Sequence, residues 1–315
     1  MKIAIFWGGR HTLPGACDHT TWYSFYNSGW KYGFESLGHT IDYFAWDDED
    51  NHSGYDLYIY APGFLTTATF HKNLHHPNIF FTEEASLGVS WAINHSFHYD
   101  GLAFLDFLNW KSLRANGIKN AYWVPGAVDP TIFHPLDTEK NRTLTFLGNF
   151  DQTVVIEKGR VRLDYIKAID SQIPDSLVAK GFYSDAANRV WNSTYVGIDV
   201  PIVDFCSFRL FQIIAAGAFC LTRKPRVETG IDYLLPNNLY STYKDLDHLI
   251  ETWKPLARDV KPFGKLFAEK TVKAREHVLN HNTFKQRAQQ LLQIAKLEPR
   301  DEALFYEESN YYGKY

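Results

Sequence analysis

Residues 204–222 combine polar and small side chains in a pattern that suits the binding of an anion at the start of a helix. Ser207 is a typical first residue, or N-cap, of a helix, and the backbone amides of Phe208 and Arg209 would lie at the positive end of the helix dipole. Arg209 adds a charged, bidentate donor at the same end. The segment therefore predicts a ligand that carries phosphate. The alternative is a buried amphipathic helix that ends at Gly217 and binds nothing.

Two acidic residues and one histidine in the first half of the chain are candidates for catalysis. Asp18 and His19 follow a glycine-rich turn, and either could act as a general base that removes the proton of a hydroxyl group. Glu83 comes directly after an apolar run of strand length, where a carboxylate could bind hydroxyl groups. The alternatives are that Asp18 caps a helix and that Glu83 is an ordinary exposed loop acid.

Basic residues follow a predicted turn at Gly148. Lys158 and Arg160, with Arg162 close by, would bring positive charge to a phosphate bound at this turn. The spacing does not distinguish among the three side chains. The alternative is the solvated basic start of a helix.

Apolar runs of strand length alternate with helix-length segments, and this pattern is typical of parallel sheets covered by helices. It occurs twice, which predicts an α/β protein with two sheets. The predicted strands cover residues 2–7, 40–46, 56–61, 78–82 and 121–124, then 143–148, 177–181, 195–200 and 218–222. The predicted helices cover residues 20–37, 161–171, 185–192, 207–216, 243–253, 262–279 and 283–297.

The composition is that of an ordinary globular protein. A chain of 315 residues with 45% hydrophobic residues is long enough for two cores. Its formal net charge of −4 argues against a generic nucleic-acid binder. Apolar runs are too short for a transmembrane segment, the start of the chain lacks a signal-peptide pattern, and the 3 cysteines are far apart. We therefore expect a cytoplasmic protein with no transmembrane segment.

Several motifs in the second half resemble one known group of enzymes. Arg209, Phe211, Ala215 and the pair Gly217-Ala218, followed by an apolar strand, are similar to the C-terminal half of GT-B glycosyltransferases, especially the spore-maturation-type (CgeB-like) group of the glycosyl transferases group 1. Residues 143–149 resemble that family's first donor-domain strand and glycine turn, residues 124–135 its interdomain linker, and residues 281–287 its late helix motif. The resemblance spans roughly residues 120–292.

The resemblance implies a GT-B fold, with two Rossmann-like, doubly wound domains that face a central cleft. Prolines at positions 125, 130 and 135 would form a stiff joint between them. We expect an acceptor domain at residues 1–124, a linker at 125–140 and a nucleotide-sugar donor domain at 141–297. Residues 298–315 are too aromatic for a typical disordered tail, and we expect them to dock on the N-terminal domain.

The resemblance also implies a nucleoside diphosphate sugar as co-substrate and a hexosyl- or pentosyltransferase activity. In related enzymes two glutamates, spaced as residues 204 and 212 are, hold the donor sugar and the ribose. Asp204 and Gln212 stand there instead, and Gln212 can accept at only one oxygen while donating from its amide, so the ribose contact would be rearranged. The candidate donor-binding residues are Gly148, Lys158, Arg160, Asp204, Ser207, Phe208, Arg209 and Gln212.

Neither a cofactor nor a metal is expected, because the family relies on a helix dipole and basic side chains. The histidines at 71, 75 and 76 and at 95 and 98 lack the ligand pattern of a zinc site. A glycan, a small molecule, a protein side chain and a hydroxymethylated DNA base are all compatible acceptors, and the oligomeric state is open. The departures at Asp204 and Gln212 also leave two other functions open, a nucleotide-sugar-binding protein without activity and a GT-B-fold epimerase.

Overall fold

The computed structural model describes residues 1–8, 22–46, 48, 50–61, 74–82, 89–148, 156–201, 206–225, 228–256, 260–299, 301 and 304–305; for 22–27, 89–91, 156–161, 255–256 and 260–266 it describes the backbone alone. The described chain forms two compact units. The first contains residues 26–126, the N-terminal strand and the residues from 284 onward, and the second contains residues 127–283. None of the described helices combines the length and the hydropathy that a membrane-spanning segment requires.

Strands and helices alternate along most of the chain. The strands are β1 (Lys2–Trp7), β2 (Thr40–Ala45), β3 (Leu57–Ala61), β4 (Asn78–Thr82), β5 (Gly101–Phe104), β6 (Ala121–Trp123), β7 (Arg142–Leu147), β8 (Leu177–Ala179), β9 (Thr194–Asp199), β10 (Phe219–Arg223) and β11 (Ser241–Tyr243). The helices are α1 (Trp22–Glu35), α2 (Val89–His95), α3 (Phe107–Ala115), α4 (Ile156–Gln172), α5 (Ser184–Asn192), α6 (Phe208–Ala215), α7 (Ile231–Leu234), α8 (Leu246–Leu256), α9 (Val260–His281) and α10 (Phe284–Ile294).

The first unit is built on a parallel sheet with the strand order β2-β1-β3-β4-β5-β6. The central strands β3, β4 and β5 are buried along their whole length. Burial on both faces explains why their sequences are continuous apolar runs rather than alternating patterns.

Helix α10 packs on this first sheet. Arg287 Nε donates to the Pro125 carbonyl at 3.0 Å, and Gln290 Nε2 donates to the Trp123 carbonyl at 2.8 Å. Ile294 lies so close to Gly101 on β5 that a Cβ there would be 2.3 Å from the isoleucine methyl. The structure thus groups α10 with the first unit, whereas we placed residues up to 297 in the second domain, because helical periodicity does not show which sheet a helix covers.

The second unit is built on a parallel sheet with the strand order β11-β10-β9-β7-β8. Counted from β7, this is the 2-1-3-4-5 order of a doubly wound sheet, and the chain reverses direction of winding between β7 and β9. Its core includes Phe146, Ile169, Ile198, Leu221 and Leu249, all at most 1% exposed. Since crevices open at such reversal points, the carboxyl ends of β7 and β9 are where a ligand site is expected.

The predicted α/β architecture is confirmed, and the structure adds short elements. Strands β5 and β11 and helices α2, α3 and α7 were not predicted. Strand β11 has only three residues, too few to show a period, and it exists because β10 pairs with it.

Candidate functional site

Three strand ends and one helix start meet at the reversal point of the second sheet. Gly148 follows β7, Asp199 ends β9, and Thr222 opposes Asp199 in the register of β10. Helix α6 begins beside them, with Ser207 as its N-cap. Asp199 and the three residues beside it therefore come from four different elements.

Asp199 is the centre of this group. It is 1% exposed, and its carboxylate accepts three hydrogen bonds from side chains. Arg209 Nη1 donates to Oδ1 at 2.9 Å, while the hydroxyls of Ser207 and Thr222 donate to Oδ2 at 2.9 and 3.3 Å. The Tyr243 hydroxyl donates to the Asp199 backbone carbonyl at 3.1 Å. The arginine compensates the negative charge of this buried carboxylate, and the three donors together hold the carboxylate in one orientation.

Arg209 lies across the end of β7. Its guanidinium carbon is 5.3 Å from the centroid of the Phe146 ring, which places the cation against the ring face. A Cβ at position 148 would be 2.8 Å from Arg209 Nη2, so the arginine can adopt this position only because residue 148 is glycine. The side chain is still 21% exposed, which leaves it accessible to a ligand.

Arg162 lies on α4 beneath the same aromatic ring. Arg162 is buried, and its guanidinium carbon is 5.6 Å from the centroid of the Phe146 ring. Its Nε and Nη2 both donate to the Val200 carbonyl, at 2.9 and 2.5 Å. Burial, together with the nearby charge of Arg209, lowers the pKa of Arg162 to about 9. Asp199 opposes this shift because a negative charge stabilises the guanidinium ion.

The site carries more positive than negative charge. Among the described side chains around Asp199 there are three guanidinium groups, those of Arg162, Arg209 and Arg223, and one carboxylate. The hydroxyl of Tyr243 and the thiol of Cys220 are buried, and burial raises the pKa of each, so neither adds negative charge near neutral pH. Such an excess of buried positive charge favours the binding of an anion.

Helix α6 begins where the sequence predicted, but the side chain of its N-cap, Ser207, bonds to Asp199 instead of to the helix. Ser207 has the extended backbone of an N-cap, with φ −78° and ψ 149°, and its side chain makes no capping hydrogen bond because the hydroxyl donates to Asp199. Phe208, Arg209 and Gln212 are half-buried along one face of α6. The opposite face packs into the core.

A small pocket opens beside Asp199. One of its walls carries Thr229, whose hydroxyl is buried and has no hydrogen-bond partner within the described part of the chain. A buried hydroxyl without a partner is unusual, and it adds a polar group that a ligand or a water could satisfy. The pocket is lined by Asp199, Pro201, Cys206, Ser207, Leu210, Thr222, Arg223, Pro225, Thr229 and Ile231.

The predicted site residues divide into two groups. The first, Gly148, Ser207, Phe208, Arg209 and Gln212, is described and lies at the carboxyl end of β7 or on the first turns of α6. The second group contains Asp18, His19, Glu83, Asp204, Lys158 and Arg160. The first four lie outside the described residues, and for Lys158 and Arg160 on α4 only the backbone is described.

Asp199 was not predicted. Its only signal in the sequence is a charged residue at the end of an apolar run, directly before Val200-Pro201, and the motif of related enzymes points instead to Asp204. Elsewhere, the described residues contain one group with metal-ligand types close together, Asp48, Asp50 and His52, whose ligand atoms lie within 4.8 Å of one another. It belongs to the first unit, and metal independence stays a prediction.

Comparison with known proteins gives a family for the second half of the chain. The profile of a family described as glycosyl transferase-like matches residues 132–293, slightly more than half of the chain. No curated protein sequence matches the chain significantly. The matched residues include all those described around Asp199.

Solved structures resemble nearly the whole chain at low sequence identity. Sucrose-phosphate synthase from Thermosynechococcus elongatus has a TM-score of 0.66 at 10% identity, covering 94% of this chain and 98% of that one. The Anabaena HepE protein in complex with UDP and glucose has a TM-score of 0.60 at 8% identity, covering 95% and 100%. An alpha-glucosyltransferase in complex with UDP and a 13-mer DNA has a TM-score of 0.59 at 12% identity, covering 94% and 100%. These similarities show the predicted GT-B fold.

Proposed function

Because the chain belongs to the glycosyl transferase-like family, we propose that it moves a glycosyl group from a nucleoside diphosphate sugar to an acceptor hydroxyl. The observation that carries the proposal is the charge of the site: three guanidinium groups around one buried carboxylate, beside the start of α6. A glycosyl donor leaves a nucleoside diphosphate, so negative charge develops where these groups lie. Stabilisation of that charge is the main electrostatic contribution a protein can make to such a transfer.

Arg209 is the side chain best suited to bind the diphosphate. It is the partly exposed guanidinium of the group, and within the described chain only its Nη1 is used in a hydrogen bond. The backbone amides at the start of α6 add uncharged donors at the same place. In this proposal Gln212, one helical turn beyond Phe208 on the same face, contacts the ribose, and Lys158 and Arg160 add charge from α4.

The remaining parts of the proposal concern the first unit and the acceptor. Asp18, His19 and Glu83 are proposed for acceptor binding and proton removal, in an acceptor domain formed by residues 1–124. One described contact of the C-terminal residues supports docking on that domain, since Phe305 is buried and its ring centroid is 5.8 Å from that of Tyr122. We also propose a cytoplasmic enzyme that needs no metal, because guanidinium groups supply the charge that a cation would otherwise provide.

The proposal leaves the chemical class of the acceptor to be identified. The alpha-glucosyltransferase among the similar structures was solved with UDP and DNA, and HepE with UDP and glucose. A DNA-modifying enzyme of this fold would bind duplex DNA with a steep dependence on salt, whereas an enzyme that modifies glycans or small molecules would not. With a net charge of −4, we favour a glycan or small-molecule acceptor over a DNA base.

The first test is a thermal-shift screen against nucleoside diphosphates and their sugars, with the wild type beside Arg209→Ala. A bound ligand raises stability by mass action, about 2.7 kcal/mol at a hundredfold excess over its Kd. We expect a shift with one nucleotide, and Arg209→Ala should weaken that binding about tenfold or more because it removes charge-assisted hydrogen bonds.

The matched control is Arg189→Ala, which removes an exposed arginine from α5 in the same unit. It should leave the shift unchanged. A folded wild type that responds to no nucleotide would contradict the proposal. Binding without turnover of any donor sugar would instead support a nucleotide-sugar-binding protein, and conversion of the sugar itself would support an epimerase.

A further inference from the structure

Asp199 holds a position that a passive core residue would not need. Its carboxylate is buried at the mouth of a site with an excess of positive charge, and Oδ1 receives Arg209 at 2.9 Å. The second oxygen is occupied by the hydroxyls of Ser207 and Thr222. The two oxygens therefore have different partners. The hydroxyls of Ser207 and Thr222 hold Oδ2, and through the rigid carboxylate they also hold Oδ1 in position for Arg209.

This pairing decides where the remaining donors of Arg209 lie. A guanidinium is planar and rigid, so Nη1 held on Asp199 and a plane held against the Phe146 ring together set the direction of Nη2 and Nε. Nη2 then lies over Gly148, within 2.8 Å of the position a Cβ would occupy there, and the ring of Phe146 supports the plane from one side. Without Asp199, the contact with the Phe146 ring is the constraint on this long side chain that remains among the described residues.

We propose that Asp199 is a positioning residue, which orients Arg209 for binding of the donor diphosphate. The inference rests on the proposed function and deepens it. Asp199 acts on the ligand through the guanidinium, at the cost of placing a negative charge near a site for an anion. Orientation outweighs that cost, because a preorganised donor does not lose conformational freedom when the ligand binds.

Because of this cost, the proposal can be tested by whether a substitution of Asp199 weakens or tightens the binding of the diphosphate. Removing a negative charge close to a diphosphate should tighten binding if electrostatics alone mattered. Removing the residue that orients Arg209 should weaken binding. Loss of a residue that only supports the fold should lower stability and leave the affinity of the folded protein unchanged.

The experiment measures the Kd of UDP, or of whichever nucleoside diphosphate the wild type binds most tightly, by isothermal titration well below the unfolding temperature. We expect Asp199→Ala to weaken binding about tenfold, the equivalent of one charge-assisted hydrogen bond. Asp199→Asn should give an intermediate loss, because an amide oxygen can still accept from Arg209 but carries no charge. Asp199→Asn keeps the side-chain volume, so it provides the measurement if the alanine variant does not fold.

Tyr243→Phe is the matched control. It removes the hydrogen bond to the backbone carbonyl of the same residue and leaves the carboxylate and Arg209 in place. Its Kd should equal that of the wild type, even if its stability falls.

A double-mutant cycle separates positioning from a structural role. In an Arg209→Ala background, Asp199→Ala should cause no further loss of affinity, because the residue through which it acts is gone. Equal losses in both backgrounds, or unchanged or tighter binding by the single Asp199 variants, would overturn the inference while leaving the donor site intact. A folded wild type that binds no nucleoside diphosphate would overturn the donor site and this inference together.

Discussion

Thr222 and Thr229 line the same pocket, but their hydroxyls contribute differently to the stability of the protein. Both are buried, 4% and 5% exposed. The Thr222 hydroxyl donates to the Asp199 carboxylate, whereas the Thr229 hydroxyl has no partner within the described chain. A hydrogen bond to a charged group contributes stability, and a buried polar group without a partner reduces it.

Thr→Val at each position keeps the shape and removes the hydroxyl. We expect Thr222→Val to lower the free energy of unfolding by about 1–3 kcal/mol, because the buried carboxylate loses a donor. Thr229→Val should leave that free energy unchanged or raise it. Urea denaturation of the two variants in the absence of ligand makes the comparison, and an equal loss in both would show that the Thr229 hydroxyl has a partner in solution.

The residues of the site could be predicted only where their chemistry shows locally. Ser207, Arg209 and Gly148 belong to patterns within a few neighbours, an N-cap, a charged helix start and a turn after a strand. Asp199 was missed because its proposed role depends on the pairing of β9 with β10, which brings Thr222 opposite to it. Such a register is not visible in the sequence around residue 199.

At the level of elements, long buried strands were predictable and short ones were not. Strands β1 and β4 have the predicted bounds because each is a continuous apolar run. Strand β5 has only four residues, beginning with a glycine, and it is a strand because β4 and β6 pair with it on both sides. Tertiary pairing, rather than local propensity, forms such elements.

Lys140 joins three elements of the second unit. Its Nζ donates to the carbonyls of Asn192, Thr194 and Gly217, at 3.3, 2.6 and 3.0 Å. These carbonyls lie at the end of α5, the start of β9 and just beyond α6. One ammonium group therefore donates to three backbone acceptors from different parts of the chain.

Lys140→Met should destabilise the protein, because it keeps an apolar stem of similar length but leaves these carbonyls without the ammonium. We expect a loss of about 1–3 kcal/mol at pH 7. A variant as stable as the wild type would mean that water replaces the ammonium. Lys167→Met, on the exposed face of α4, is the control.

The same residue predicts a pH dependence. Burial lowers the pKa of Lys140 to about 8, below the value of an unfolded lysine, about 10.4. Between these values the unfolded chain binds more protons than the folded chain, so this residue makes the free energy of unfolding rise with pH. Urea denaturation at pH 7 to 10 should show the stability difference between wild type and Lys140→Met widening above pH 8, and a constant difference would contradict the assignment.

At the scale of the whole molecule, the chain returns to its first unit at the end. Helix α10 contributes hydrogen bonds to the carbonyls of Pro125 and Trp123 and packs on β5. The fold of the first unit is therefore not complete until residue 294 has been added. A chain ending at residue 283 should lose the first unit and keep the second.

Hydrogen exchange followed by mass spectrometry tests this expectation. In the truncated chain, the amides of β1, β3, β4 and β5 should lose their protection, because the sheet face under α10 is exposed. The amides of β7, β9 and β10 should keep theirs. A chain ending at Phe305 is the control, and retained protection of the first sheet in the shorter chain would contradict the role assigned to α10.

Both sheets begin with the same 2-1-3-4-5 strand order, yet the described arginines around Asp199 all belong to the second unit. This division has a consequence for how the protein can diversify. Substitutions in the loops of the first unit do not change the identity of those arginines or of their carboxylate. Under the proposed function, evolution can therefore change the acceptor while the arginines proposed to bind the diphosphate are inherited unaltered, and a swap of first units between related enzymes is the engineering counterpart of that history.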